Sequence, residues 1–361
     1  MKKTFNLQRK IAQNLVLFVV FASFYLIWRA HNVFLLKKSF TFSYFLSFPI
    51  DDNIPVNPLE DLLMNKIAIL IDSTGDLNAE LREKYGIDDY CAMHISYDGK
   101  EIPASLDWDA GVQPEELYKV LTEGRRIYTS AVTAQEYDTK FSKYLDQGYD
   151  VLYISCSSGL SASINVAHQV ADKLNPLYKN CKVVCVDSLV SGYAQGLMGI
   201  KARELANAGK NVDEIAAWLE KERLKFNQIA SCETLRYLKA AGRVTAAAAF
   251  FGNLFGVKPI LISDAKGHNF AIKKVKGRLP SIKEVAKMTV ESCEDIENST
   301  IYIGHIVDPE GAEMLKQEIL KLAKPKDIYV GMIGPIVGAS TGPGTISAYF
   351  YGKEVTVVGE K

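Results

Sequence analysis

Short runs of consecutive apolar residues alternate with amphipathic stretches along most of the chain, beginning near Lys66. Ile67-Ala-Ile-Leu-Ile71 and Val151-Leu-Tyr-Ile-Ser155 are apolar at nearly every position, as strands buried on both faces of a parallel sheet require. Val183-Val-Cys-Val-Asp187 predicts a third strand of the same kind. Between them, Leu77 to Tyr85 predicts a helix stopped by Gly86, and Pro114 to Glu123 a helix with proline in its first turn. A further helix runs from the Ser161 region to about Leu174, and Val212 to Leu224 is amphipathic. Strand, polar turn and helix in that order define an α/β fold with a mainly parallel sheet.

A second α/β domain is expected from Phe226. Strands are predicted at Gln228 to Cys232, Pro259 to Ile262, Ile301 to Ile306, Ile328 to Ile333 and Val355 to Val358. Asp264 to Gly267 reads as a hairpin turn, Ser281 to Cys293 as a helix, and Ala240 to Val257 as a small-residue stretch rich in Ala, Gly and Phe. The organisation expected is a leader over 1-63, one α/β domain over 64-225 and a second over 226-361, with a ligand held between the two.

The leader departs from this pattern. Its first fifty residues hold no Asp or Glu, seven Lys or Arg, and twelve of the chain's 37 aromatics. Ile11 to Trp28 is an uncharged run of eighteen, the minimum for a membrane span. Three readings are open: a membrane anchor over 11-28, a signal sequence, or a start site placed too early, with Met64 the true one. The Phe-, Leu-, Lys-, Ile- and Asn-rich composition favours the last, since translating an AT-rich leader would yield it.

Lys plus Arg equals Asp plus Glu at 42 each, which argues against a nucleic-acid partner. The six cysteines form no CxxC pair and several sit in apolar runs, as in a reduced, cytoplasmic protein. The five histidines lack metal-ligand spacing. No GxxxxGK[ST] or GxGxxG occurs, so no nucleotide cofactor is expected.

The candidate chemistry gathers in polar turns after strands, where open α/β sheets collect ligands. Ser157, Ser158 and Gly159 lie between a strand and a helix, where free amides and hydroxyls suit a small anion; they equally suit helix capping. Thr129-Ser130 is a second hydroxyl pair beside a strand. Arg243, flanked by Gly242 and small residues, could reach a carboxylate or phosphate. His305 ends a strand and could donate to a ligand. Gly338-Ala-Ser-Thr-Gly342 matches the nucleophile-elbow pattern, but Pro343-Gly344 follow at once and no histidine lies downstream.

Eight segments occur in family order over nearly 300 residues: DSTGDL (Asp72 to Leu77), TS (Thr129-Ser130), SSGLS (Ser157 to Ser161), VDS (Val186 to Ser188), LKAAGRVT (Leu238 to Thr245), VKPIL (Val257 to Leu261), His305 and TGPG (Thr341 to Gly344). Together they resemble the DegV family, the fatty-acid-binding proteins that serve a bacterial fatty-acid kinase. The resemblance implies a long-chain fatty acid whose carboxylate rests on Thr129, Ser130, Ser157, Ser158 and Gly159, with Arg243 and His305 beside it and the tail in an apolar tunnel. It implies a binding subunit rather than a complete enzyme, touching membrane only transiently unless 11-28 is a real anchor. A separate kinase subunit would bring ATP and magnesium and form an acyl phosphate for phospholipid synthesis. The chain departs from the family pattern at Ala241, Ser161-Ala162-Ser163, Ser340 and Lys276 to Pro280. The alternative is a stand-alone phosphotransferase or hydrolase of the dihydroxyacetone-kinase-like fold group.

Overall fold

The computed structural model describes residues 66–244 and 256–359. The leader, its run over 11-28, and Thr245 with most of the Ala240 to Val257 stretch lie outside the described residues.

Three strands follow the apolar runs closely: β1 (Ile67–Asp72), β6 (Asp150–Ser155) and β7 (Val183–Asp187). With β2 (Asp89–Cys91) they form a wholly parallel sheet in the order β2-β1-β6-β7. Every residue of β1 and β6 is buried, because each face of the sheet feeds its own core. Ala68, Leu70 and Tyr153 pack with residues of the helices α3 (Ala134–Leu145) and α4 (Ser163–Leu174). Ile69, Ile71 and Leu152 point the other way, toward α1 (Ala79–Tyr85), α5 (Tyr193–Asn207) and α6 (Val212–Glu222). Gly86 closes α1 in the left-handed conformation (φ 66°), which glycine adopts without a Cβ penalty.

A small antiparallel sheet, β4-β3-β5, is built from β3 (His94–Tyr97), β4 (Lys100–Pro103) and β5 (Tyr128–Ser130). Thr129 and Ser130 are therefore strand residues of β5, not the turn after it. Helix α2 (Pro114–Thr122) precedes β5.

Beyond Phe226 the chain makes a six-stranded mixed sheet in the order β10-β9-β8-β13-β11-β12. Its strands are β8 (Phe226–Ser231), β9 (Val257–Ser263), β10 (Asn269–Lys276), β11 (Thr300–His305), β12 (Asp327–Met332) and β13 (Ile346–Tyr351). The Asp264 to Gly267 turn joins β9 to β10 as an antiparallel hairpin. Ile229, Ile260, Ile346, Ala348 and Phe350 point to one face, against α8 (Arg278–Ser292) and α9 (Pro309–Leu322). Side chains alternate across a strand, so Gln228, Ala230, Leu261, Ser347 and Tyr349 face the other side. The remaining helices are α7 (Arg236–Ala241) and α10 (Pro335–Thr341).

The fold is thus mixed α/β, with one parallel sheet and a separate mixed one. One expected strand is absent. Val355 to Val358 runs as a strap whose backbone bonds go to different loops, Val355 N–H to Leu224 and Val357 C=O to Ala265, so no ladder forms. The strand in that region is β13. Among the described residues no helix is long and apolar enough to cross a membrane. All six cysteines are free and buried.

Candidate functional site

The tips of the parallel sheet face the open side of the mixed sheet, and a cavity of about 1020 Å³, its mouth included, lies among them. Thr74 follows β1, Cys156 and Ser161 follow β6, and Ser191 follows β7. Thr129 and Ser130 come from β5. The mixed sheet adds Gln228 and Ala230, Leu261, Asn269, Ser347 and Tyr349. Helix α10 and its approach supply Ile333, Ile336, Val337, Ser340 and Thr341, and Leu238 and Arg243 come from α7 and the turn after it. Among these described residues Arg243 is the one charged side chain, and none is acidic.

Asp72 fixes two of the strand tips. Its Oδ1 accepts from the Thr74 amide at 2.9 Å and hydroxyl at 2.6 Å, and its Oδ2 from the Cys156 amide at 2.8 Å and the Tyr153 hydroxyl at 3.1 Å. Burial pushes the Cys156 thiol well up, so this cavity-wall sulfur is a poor nucleophile.

Asp76, fully buried and in the left-handed region (φ 54°), reaches across to α10. Its Oδ1 accepts from Gly334 N–H at 2.9 Å, while Oδ2 has no partner among the described residues. Burial raises its carboxyl well above the ordinary 3.8, the Asp72 charge adds to this, and the Gly334 bond opposes it. In the unfolded chain the group ionises near its ordinary value. Its contribution to stability is therefore full below about pH 4 and is lost as pH rises toward the folded-state value. Asp76→Asn removes that titration. Urea titrations of both proteins between about pH 5 and pH 8 should show wild type losing stability relative to the variant as pH rises; a constant difference would exclude this role.

Of the seven residues singled out from the sequence, Thr129, Ser130 and Arg243 line the cavity, and the other four do not. The backbone amides of the Ser157 to Ser161 turn are already taken. Ser157 N–H bonds Val190 C=O, the Leu160 and Ser161 amides both bond Ser157 C=O, Gly159 N–H bonds Ser157 Oγ, and Ser158 N–H bonds Asp187 Oδ1. The helix itself starts only at Ser163. Ser157 Oγ donates to Gly267 C=O at 2.7 Å, and a Cβ on Gly159 would lie 2.9 Å from the backbone of Lys266 and Gly267. This turn holds the β9-β10 hairpin against the parallel sheet. His305 is buried at the end of β11, where its Nδ1 accepts from Asp308 N–H at 3.3 Å. Burial lowers its pKa against the pull of Asp308, which favours the neutral imidazole.

Ser340 of the GxSxG match lies near the end of α10, its hydroxyl donating to Ile336 C=O at 3.4 Å. It is no strand-to-helix elbow. Thr74, Ser191, Gln228, Asn269, Thr345 and Ser347 line the cavity but were not singled out from the sequence. The usable signal was the alternation in Thr345 to Phe350, where every second residue faces the cavity. Among the described residues no cluster of His, Cys, Asp or Glu could hold a metal ion.

Two facing sheets with a cavity between them whose described lining is mostly apolar and free of acids define a class of small-molecule binders. Residues 66–353 match the model described as "Uncharacterised protein, DegV family", and the chain belongs to that family. A DegV domain-containing protein of Clostridium perfringens is 31% identical over 291 residues, 80% of this chain and 98% of its own length. A DegV family protein of Thermus thermophilus, whose structure is described as showing fatty acid binding, shares 26% identity with a TM-score of 0.72, covering 80% of this chain and all of that one. A DegV lipid-binding protein of Thermotoga maritima matches with 26% identity, a TM-score of 0.68, and coverage of 81% and 100%.

Proposed function

We propose that the chain binds a long-chain fatty acid, its tail in the cavity between the sheets and its carboxylate toward Thr129, Ser130 and Arg243. The observation that carries this reading is the composition of the cavity's described lining: one guanidinium, no acid, and a mostly apolar surface with a few polar groups, as small-molecule sites have. Arg243 sits at the exposed rim, its Nε donating to Leu160 C=O at 3.2 Å. The Thr129 and Ser130 side chains make no hydrogen bond to other described residues, so both hydroxyls are available to an anion.

Burying the tail contributes about 0.8 kcal/mol per methylene, so a sixteen-carbon chain gains roughly 12 kcal/mol before the entropy cost of binding. The tail sets affinity and the polar rim sets orientation. Thr129→Val with Ser130→Ala should weaken acid binding about a hundredfold or more, since each lost hydrogen bond to a charged group is worth roughly 1.5–3 kcal/mol, with melting temperature unchanged. Native mass spectrometry of purified protein measures the co-purified acid. A double variant that keeps its full complement of lipid would remove the carboxylate from this rim.

The acid so held is presented to a separate kinase subunit, which brings ATP and magnesium and forms the acyl phosphate. Hydroxylamine trapping of acyl phosphate in a mixture of acid-loaded protein, ATP and a DegV-partnering kinase tests this step. No hydroxamate above the kinase-only control counts against it.

A further inference from the structure

We infer that a second concavity, back to back with the cavity, binds a phosphate group. It spans about 550 Å³, its mouth included, and is lined by Arg125, Arg126, Arg236 and Tyr237 together with Leu121, Ile127 and small residues; no acidic side chain among the described residues lines it. The two depressions share walls. Helix α7 gives Leu238 to the cavity and Arg236, Tyr237 and Ala241 to the concavity; α10 gives Ile336 to one and Ala339 to the other.

The three arginines are not equivalent. Arg125 is taken by Asp98 and Glu123. Arg126 and Arg236 pair with no carboxylate among the described residues, yet neither is loose. Arg126 donates through Nη2 to Ala240 C=O at 2.7 Å and lies over the Tyr128 ring, 4.8 Å from its centroid. Arg236 donates through Nη2 to the Tyr237 hydroxyl at 2.8 Å, with its guanidinium 4.7 Å from that ring's centroid. Each fork has five N–H donors, so most remain open on side chains already held in place. Two guanidinium cations exceed the single charge of a carboxylate, and their forks match the several oxygens and double charge of a phosphate.

The phosphate could be carried by a nucleotide or by an inorganic polyphosphate. Isothermal titration of the full, lipid-stripped chain with pyrophosphate, metal-free ATP and acetate separates these. Saturable binding of pyrophosphate is expected, weakened about tenfold in Arg126→Ala or Arg236→Ala and about a hundredfold in the double variant. Arg126→Lys with Arg236→Lys, which keeps charge and loses the forks, should bind between the two. Lys287→Ala, which removes one charge from α8, should leave binding unchanged. ATP binding more tightly than pyrophosphate identifies a nucleotide, and equal affinity an inorganic source. No saturable binding, acetate binding as tightly as pyrophosphate, or equal loss in Lys287→Ala would overturn the assignment. The lipid-stripped protein suffices, so the outcome does not depend on the fatty-acid reading.

Discussion

Asp72→Ala is expected to cost roughly 2–6 kcal/mol of unfolding free energy, because it strands two buried backbone amides at about 1–3 kcal/mol each. Asp72 is wholly buried and has four donors, but two of them have an alternative. The Thr74 hydroxyl already lies 2.5 Å from Gln195 Oε1, and the Tyr153 hydroxyl 2.7 Å from that of Tyr137. The amides of Thr74 and Cys156 have no such second acceptor at hand. Asp72→Asn should recover part of the loss: its carbonyl can replace one carboxylate oxygen, while its NH₂ then faces a donor. Urea unfolding of the three proteins measures the series, and an Ala variant within about 0.5 kcal/mol of wild type, the scatter of neutral surface changes, would show that the amides find other partners. Since Thr74 and Cys156 are also cavity wall, the same variant should loosen ligand binding while the mixed sheet across the cavity stays folded.

The parallel sheet was legible because burial on both faces leaves a mark in composition: β1, β6 and β7 are near-continuous apolar runs, and little else in a soluble chain looks like that. Gly86 and the Asp264 to Gly267 turn were legible for a similar reason, since chain reversal demands particular residues. The cavity wall was harder. Gln228, Asn269 and Ser347 are single polar residues on strands far apart in sequence, and each alone reads as an ordinary outward position. Only the order β10-β9-β8-β13 puts them on one face. The position of the serine turn at Ser157, outside the cavity lining, was hidden for a different reason. Sequence shows that donors are present, but not that Ser157 C=O and Oγ, Val190 and Asp187 already accept them. Strand β13 was missed because its alternation is plain only from Thr345 to Ala348 and is blurred where Tyr349 and Phe350, both bulky, follow.

Ala230→Trp should abolish fatty-acid binding and leave the fold standing. Ala230 is central in the mixed sheet, paired with Ser347 on β13 and Leu261 on β9, and its methyl faces the cavity while its neighbour Ile229 faces the helices α8 and α9. An indole there grows into empty space, not into packed side chains, so the overpacking cost of roughly 1–3 kcal/mol that a filled core would impose is largely avoided. The tail, which supplies most of the affinity at about 0.8 kcal/mol per methylene, loses the space that buries it. Losing even four methylenes of burial amounts to about 3 kcal/mol, more than a hundredfold in binding, whereas Thr129 and Ser130 at the rim are untouched. Native mass spectrometry should therefore find the Ala230→Trp protein free of acid, with a melting temperature at or above that of lipid-stripped wild type. A folded variant that still carries acid would move the tail out of this cavity altogether, since no rotation of the indole about a central strand position can clear the space between the two sheets.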